Sequence, residues 1–273
     1  MSRLWRSRAL LLGLFILLAI AAAAALANLL YPGDPFDIVA RPNLWPSAQP
    51  AYPLGTDMLG RDITAGMFHA ARVSLLVGLG AATLAVLVGT LVGVVAGYFG
   101  GWADDCLMRL TELFQTMPSF LFAILLVVIL QPSIGSIVFA IGITSWPQIS
   151  RLVRAEAMRV RQQDYVSAAV TMGLAHPAII WRHILPNSIA PVVVATSILI
   201  AQAILTEASL SFLGLGDPSV ISWGSMVGAG RSSLRTAWYM TAVPGAAIFI
   251  AVMGFMYLGN GLNDVLNPRS EAQ

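Results

Sequence analysis

The sequence contains no lysine, and all 15 of its basic residues are arginine. A nucleotide-binding phosphate loop of the Walker type needs a lysine to hold the phosphates of the nucleotide. The missing lysine therefore excludes a nucleotide site of that type from this chain. Any ATP hydrolysis linked to its activity belongs to another protein.

Charge of either sign is scarce as well. Charged residues make up 10% of the 273 residues and hydrophobic residues 58%, whereas a soluble domain carries about 25% charged residues. The net charge of +2 is too small to indicate nucleic-acid binding. The single cysteine, Cys106, excludes an intrachain disulfide and is interpreted as a small apolar residue near a helix start.

Long uncharged apolar runs take the place of the missing charge. A helix needs about 20 apolar residues to cross a membrane, and several runs reach or approach that length. We predict an all-α membrane protein with six transmembrane helices, at residues 9–30, 73–98, 118–134, 135–153, 190–212 and 241–262. Pro132 and Gly135 interrupt one apolar stretch and predict a tight turn between the third and fourth spans.

The first apolar run follows three arginines and ends in alanines, as a signal peptide does. Residues 9–30 are nevertheless longer than the roughly 7–15 residues of a cleavable apolar region. We therefore predict that this run is retained as the first span.

The arginines predict the orientation, because cytoplasmic segments carry an excess of basic residues. With the N-terminus inside, ten arginines are cytoplasmic: Arg3, Arg6, Arg8, Arg109, Arg151, Arg154, Arg159, Arg161, Arg182 and Arg269. Five are external: Arg41, Arg61, Arg72, Arg231 and Arg235. Both termini are predicted to be cytoplasmic. The external stretches are then 31–72, a proline-rich ordered loop, and 213–240.

The cytoplasmic stretch between the fourth and fifth spans, residues 156–187, carries clear signals for where helices end and begin. Gly173 stands where a first helix should end, and Pro177 stands near where a second should begin. The pattern predicts two short helices joined by a turn at the membrane surface. The apolar side of this stretch carries small side chains, Ala168 and Ala169, so another surface could pack closely against it. An ordinary amphipathic connector is the alternative.

Ser167, Ala168 and Ala169, then Gly173, then Leu185 and Pro186, resemble the EAA cytoplasmic loop of binding-protein-dependent ABC importer permeases. In that family the loop docks into a cleft on the ATP-hydrolysing subunit and transmits its movement. The family pattern has glutamate at the place of Ser167 and isoleucine at the place of His183. We name residues 156–187 the docking loop. The coupling residues that the resemblance implies are Asp164, Tyr165, Ser167, Ala168, Ala169, Gly173, His183, Leu185 and Pro186.

Other segments resemble the dipeptide, oligopeptide and nickel permease branch of that family. They are PLGTD at 53–57, GRD at 60–62, EASLSFLGLG at 207–216, SWG at 222–224 and LGNGLNDVLNPR at 258–269. The chain resembles the second of two paired permeases in this branch. The resemblance implies the type I importer permease fold, with an N-terminal span and external loop at 1–72 and a five-span core at 73–273.

The resemblance also implies partners and a location. The partners are a second permease subunit, forming a heterodimer, two ATP-binding subunits and an extracytoplasmic solute-binding protein. The location is the bacterial inner membrane, with lipid around the spans. Peptides are the first expectation for the solute, and nickel or another small solute is the alternative.

Two features are candidates for the translocation path. Gly89, Gly93 and Gly97 lie four residues apart, on one face of the second span, where small residues let a neighbouring helix approach closely. A substrate path along that face is the sharper hypothesis. Glu207, near the end of the fifth span, is a costly charge in a membrane. It either lies at the external interface with a structural partner or serves the path.

Metal binding and catalysis find no support in the sequence. The three histidines, His69, His176 and His183, lack the spacing of a metal site, and no nucleophile lies in a motif beside its base. We expect no cofactor, no metal and no catalytic residue. A solvated cytoplasmic cluster is predicted for Asp104, Asp105, Arg109 and Glu112. Alternatives from other classes are an ion-coupled secondary transporter, which would need charges near mid-membrane, and an intramembrane protease.

Overall fold

The computed structural model describes residues 7–266, and most of these residues are helical. The helices are α1 Arg8–Leu30, α2 Ile63–Phe99, α3 Gly101–Gln115, α4 Ser119–Leu130, α5 Ile134–Arg161, α6 Asp164–Thr171, α7 His176–Ile179, α8 Leu185–Phe212, α9 Trp223–Gly230 and α10 Tyr239–Leu266. A π-helical turn, Ile180–Ile184, joins α7 to α8, and a 3₁₀ turn, Arg231–Ser233, follows α9. Within the described range, extended pairing is limited to two isolated bridges. Arg3, Arg6 and Arg269, used above for the orientation, lie outside the described residues.

Four helical segments are long and apolar enough to cross a membrane. They are α1, α2, the continuous segment His176–Phe212 and α10. The pair α3 and α4 would make a fifth, although these two helices are bent by 80° at their junction. The predicted spans 9–30, 73–98, 190–212 and 241–262 fall inside the four segments, and the count of six stays a prediction.

The predicted turn between the third and fourth spans lies between α4 and α5. The break between them is Gln131–Ser133, and Gly135 lies inside the first turn of α5 rather than in the break. Ser133 ends the break by capping α5. The Ser133 hydroxyl accepts a hydrogen bond from the Ser136 N–H, and the Ser136 hydroxyl accepts one from the Ser133 N–H. The α4 helix has 12 residues, about 18 Å, which is short of a hydrocarbon core of about 30 Å.

The external loop is ordered, as predicted, but it ends at Asp62 and not at residue 72. The Asp62 carboxylate accepts the Thr64 N–H at 2.7 Å and caps α2. Residues 63–72 are therefore helical, and the predicted boundary between 72 and 73 falls inside α2. The Thr56 hydroxyl binds the loop internally, donating to Arg41 and accepting from Leu44 N–H. The Tyr239 hydroxyl joins the loop to α10 by donating to the Leu44 carbonyl at 2.8 Å.

The core lies where α2, α5 and α8 pack together. Its main buried cluster takes side chains from all three helices and from the docking loop, including Trp146, Ile149 and Ile204. The first helix packs beside α10, where the backbone of Gly261 meets Leu10. This arrangement holds the docking loop at one end of the bundle. The external loop and the α8–α9 connection lie at the other end.

Candidate functional site

The docking loop has the predicted form of two short helices around a glycine turn. The α5 helix continues to Arg161, α6 begins at Asp164, and Gly173 ends the first unit with a φ of +77°. That left-handed conformation favours glycine, and a Cβ there would meet nothing within 4 Å. Pro177 lies in the first turn of α7, where a missing N–H costs no hydrogen bond. The second short helix then runs through the π-helical turn directly into α8.

One face of the docking loop packs onto the bundle. Val166, Ala169, Ile179 and Ile184 are buried and belong to the main core cluster. Ala169 is thus the one of the two predicted alanines that packs inward. This buried face fixes the loop against α2, α5 and α8, so a force on the loop acts on those helices.

The other face of the docking loop is open. Asp164, Tyr165, Ser167, Ala168, Gly173 and Pro186 are exposed, and His183 and Leu185 are half-buried. The Tyr165 and His183 rings lie 6.0 Å apart, which brings the two helical units together on this side. All of the predicted coupling residues except Ala169 are therefore at least partly accessible to a partner. A carboxylate in the first turn of α6, Asp164, suits the positive end of that helix.

A contact between α2 and the docking loop was not predicted. The Tyr98 hydroxyl and His176 Nδ1 are 2.8 Å apart, and the Phe99 ring meets the same imidazole edge-on at 5.9 Å. The Arg161 guanidinium lies over the Tyr98 ring at 6.0 Å. From its sequence context, His176 is a candidate only for metal binding. Its partner is 78 residues away in the chain, and no local pattern indicates such a pairing.

Glu207 is buried in a group of hydroxyls, with 1% of its surface exposed. Ser211, one turn along α8, donates to Oε1 at 2.7 Å, and Ser74 of α2 donates to Oε2 at 3.3 Å. The Ser74 hydroxyl also accepts the Trp223 N–H at the start of α9, at 3.4 Å. The carboxyl group therefore joins α8 to α2 and, through Ser74, to α9. Of the two interpretations given above, this geometry matches structural pairing.

The glycine face of α2 is filled by α5. A Cβ would lie 2.8 Å from the Trp146 carbonyl oxygen at Gly89, 2.5 Å from the Ser150 oxygen at Gly93 and 2.6 Å from the Arg154 oxygen at Gly97. Real Cβ contacts are longer, so only glycine permits this approach. Helix packing accounts for the spacing of all three residues. A path for substrate at Gly89 and Gly93 stays a prediction.

The predicted solvated cluster on α3 is wrong for one of its members. Asp104 is buried, and its two carboxylate oxygens accept from Nε and Nη2 of Arg154 on α5. Asp105, Arg109 and Glu112 are exposed, as predicted. The two partners are 50 residues apart in sequence, so adjacency to other charges on α3 gave the wrong environment for Asp104.

Comparison with known proteins agrees with this geometry. The family described as "Binding-protein-dependent transport system inner membrane component" matches residues 89–271, more than half of the chain. The glutathione transport system permease protein GsiD of Pectobacterium atrosepticum is 39% identical over 259 residues, covering 94% of this chain and 85% of the relative. The di/tripeptide transport system permease protein DppC of Pseudomonas aeruginosa is 36% identical over 263 residues, covering 94% and 87%.

A solved structure supports the same architecture. The structure described as "Crystal structure of an amino acid ABC transporter with histidines" has a TM-score of 0.52 and covers 73% of this chain and 90% of the other. At 16% identity this likeness shows the fold alone. The relatives are permease proteins of transport systems. The chain therefore belongs to the binding-protein-dependent transport system inner membrane component family, as a multi-pass permease subunit of an ABC importer.

Proposed function

We propose that this chain is the second of two paired permeases in a heterodimeric peptide importer. Two ATP-binding subunits and an extracytoplasmic solute-binding protein complete the complex. Peptides are favoured because several relatives are named as dipeptide, di/tripeptide or peptide transport permeases. Import of nickel or another small solute by the same type of complex is the alternative. Residues 7–266 contain no group of three or more His, Cys, Asp or Glu that could hold a metal ion.

The exposed face of the docking loop carries the proposal. It presents Tyr165, Met172 and Trp181, which are 44%, 72% and 70% exposed. Large apolar side chains that are exposed on an otherwise fixed segment are typical of a protein–protein interface. An ATP-binding subunit is the partner that the family role of this loop requires, since this chain has no phosphate loop of its own.

The connections of the docking loop favour its role as a lever. Within it, two residues, Gln162 and Gln163, join α6 to α5, and the π-helical turn runs into α8 without a break. Movement of an ATP-binding subunit would therefore displace the ends of two core helices. The chain supplies a pathway with two states, inward-open and outward-open, and nucleotide binding in the partner shifts the balance between them.

The proposed topology has six spans, with α4 and α5 as the third and fourth, and both termini in the cytoplasm. Asp217, in the α8–α9 connection, accepts the Ile134 N–H at the start of α5 at 3.0 Å. The other end of α5 leads into the docking loop. One end of α5 thus lies beside the α8–α9 connection and the other beside the docking loop. These are also the two ends of α8, which is long and apolar enough to cross the membrane, so the arrangement supports a crossing by α5.

Glu207, Gly89 and Gly93 stay candidates for the wall of the translocation path. Their contacts favour a role in positioning helices over direct contact with the solute. Gly89 and Gly93 hold α5 against α2, and Glu207 holds α8 against α2. The path itself would lie between this chain and the second permease.

The first test is to purify a tagged copy from its own membranes in mild detergent and identify the proteins that accompany it. We expect a second permease and one or two ATP-binding proteins. A chain recovered alone, even with trapped nucleotide, would remove the partner that the docking loop requires.

The second test replaces the turn of the docking loop. We expect Gly173→Arg to abolish ATP-driven uptake of labelled di- and tripeptides while the protein stays in the membrane, because the left-handed turn and the open surface are both lost. Gly173→Asn is the matched control, since asparagine tolerates this conformation, and it should keep most of the uptake. Near-normal uptake by Gly173→Arg would refute the lever. Nickel uptake without peptide uptake would change only the solute.

A further inference from the structure

The α3 helix has three distinct faces. An apolar stripe of Trp102, Cys106, Leu110 and Leu113 is exposed, with Trp102 at 82% and Leu113 at 65%. A second face, with Asp105 and Glu112, is polar and exposed, and the exposed Arg109 lies at the border between the two faces. The third face packs on the bundle. A helix in water would not keep a separate apolar stripe beside a polar one, so the stripe requires a covering.

The packed face of α3 fixes the direction of the stripe. The Asp104 carboxylate is bound by the Arg154 guanidinium through two hydrogen bonds. Near the other end of the helix, the Phe114 ring meets the Trp146 ring at 5.3 Å. Both partners belong to α5. With contacts at two points along its length, α3 cannot turn its stripe inward without breaking the ion pair.

The neighbours of α3 in the chain set its level in the membrane. Only Gly100 separates it from the end of α2, and residues 116–118 separate it from α4. The bend between α3 and α4 is 80°, so if α4 crosses the membrane, α3 lies nearly along its surface. The α4 helix is about 18 Å long, and an interfacial helix sunk about 5–10 Å into the headgroup boundary would make up part of the missing depth.

We propose that α3 is an interfacial helix, lying in the headgroup boundary of the leaflet on the docking-loop side. Its stripe rests on the acyl chains, and Asp105, Arg109 and Glu112 face water. Through Asp104 and Arg154 it ties the end of α5, just before the docking loop, to the membrane surface. The proposal rests on the membrane spans alone and not on the solute or the ATP-binding partner.

Lipid is the occupant that the surroundings favour. Exposed apolar side chains continue from the stripe in both directions along the chain, at Leu91 and Phe99 of α2 and at Leu121 of α4. These belong to the membrane-crossing helices, so the stripe extends their lipid-facing surface. A tryptophan at the end of the stripe suits the water–membrane boundary. The second permease subunit is the competing occupant, and the test separates the two.

The native cysteine gives a probe on the stripe without a mutation, because Cys106 is the only cysteine in the chain. The complex is purified through a tag on this chain, placed in vesicles of phosphatidylethanolamine and phosphatidylglycerol, and labelled with an environment-sensitive fluorophore. The Cys106→Ala complex gives the background from partner chains. Quenching is measured with aqueous iodide and with a lipid carrying a nitroxide near the top of its acyl chain. Glu112→Cys in the Cys106→Ala chain is the matched control on the polar face, because Glu112 is exposed and lies about 120° around the helix from Cys106.

We expect the nitroxide lipid to quench the Cys106 label strongly and iodide to quench it about threefold less than the Glu112→Cys label. Leu113→Cys, also in the Cys106→Ala chain, should behave as Cys106 does. Equal iodide quenching at Cys106 and Glu112→Cys would place the stripe in water and overturn the proposal. Protection of Cys106 from both quenchers would also overturn it, and would assign the stripe to the second permease. Uptake by the same vesicles, measured before labelling, reports separately on the importer function.

Discussion

Glu207 shows how a single carboxyl group can be accommodated inside a bundle of apolar helices. Its two oxygens accept from hydroxyls on α8 and α2, and one of these hydroxyls is in turn bound to the first N–H of α9. Loss of the carboxyl would leave buried hydroxyls without acceptors. A buried polar group without a partner costs about 1–3 kcal/mol.

We therefore expect Glu207→Ala to lower the thermal unfolding temperature of the purified complex more than Glu207→Gln does. Glutamine keeps one oxygen acceptor, whereas alanine keeps none and leaves a cavity, with a cost on the order of 1–3 kcal/mol. Differential scanning fluorimetry in detergent measures the change. Glu112→Ala, at an exposed position, is the control and should have little effect. Equal unfolding temperatures for Glu207→Ala and the parent would mean that the hydroxyl network contributes nothing to stability.

The sequence predicted the contacts that follow from a regular spacing of residues along one helix. It missed the contacts between residues that are far apart in the chain. The glycines at 89, 93 and 97 indicate a packing face because helical periodicity is local, and α5 fills that face. Asp104 was misassigned because its partner, Arg154, lies 50 residues away. The hydroxyl from Ser74 reaches Glu207 across 133 residues. Pairings of this kind depend on which helices become neighbours, and periodicity does not contain that information.

At the scale of elements, the contact between α2 and α7 is the clearest link from the docking loop to a span. Tyr98→Phe removes the hydroxyl that meets His176 and leaves the ring in place. One hydrogen bond contributes about 0.5–1.5 kcal/mol, so we expect the solute transported per ATP hydrolysed to fall about threefold. Uptake and phosphate release are measured in the same vesicles. Tyr52→Phe removes a hydroxyl bond in the external loop and should leave the ratio unchanged. A Tyr98→Phe complex with the parent ratio would rule out this link.

The connection between α8 and α9 is held to α5 by Asp217. The hydrogen bond from the Ser219 hydroxyl is the main reason that the pKa of the Asp217 carboxyl lies below the usual value of 3.8. Burial raises this pKa by a smaller amount, and the hydrogen bonds from the Ser219 and Ile134 N–H groups lower it further. A lowered pKa in the folded state means that this contribution to stability is complete above the pKa of the unfolded chain. It is lost as the pH falls through the pKa of the folded state.

We expect the parent to unfold at a higher temperature than Asp217→Asn at neutral pH, and the difference to shrink as the pH falls below about 4. Scanning fluorimetry across that range measures both. Asp37→Asn, in the external loop, is the control for general effects of charge. A difference between parent and Asp217→Asn that stayed constant down to the lowest pH would contradict the role assigned to the ionised carboxylate.

Element boundaries were predicted well where the chain carries stop signals. Gly173 and Pro177 divide the docking loop as expected, and the α4–α5 break contains Pro132. The predicted second span begins at Val73 because Arg72 ends the charge-free run, whereas α2 begins ten residues earlier, at Ile63. In the structure the Arg72 guanidinium donates to the Ala24 carbonyl and to the Asn28 side chain of α1, so a tertiary contact accommodates the charge.

At the scale of the whole molecule, the number of spans is the main question that hydropathy leaves open. The test by length and composition finds four segments, or five with the bent pair. It averages over all faces of a helix, whereas α5 is covered by α2 along much of its length and also meets α8. A helix covered by its neighbours can cross a membrane without being apolar all round. That is the physical reason for which α5 can escape the test and still be one of the six proposed spans.

The side of the membrane on which the α4–α5 turn lies distinguishes a topology of six spans from one of four. In both arrangements the external loop and the docking loop lie on opposite sides, but only α4 and α5 crossing the membrane carry Gln131 to the external side. We expect a membrane-impermeant maleimide to label Gln131→Cys and Gln49→Cys in spheroplasts, and to label Met172→Cys only after permeabilisation. Each cysteine is placed in the Cys106→Ala chain, and all three positions are exposed. If Gln131→Cys were labelled only after permeabilisation, the number of spans would be four. If Met172→Cys were labelled from outside, the orientation of the whole chain would be the reverse of the one proposed, and the docking loop would not lie on the side where ATP is available.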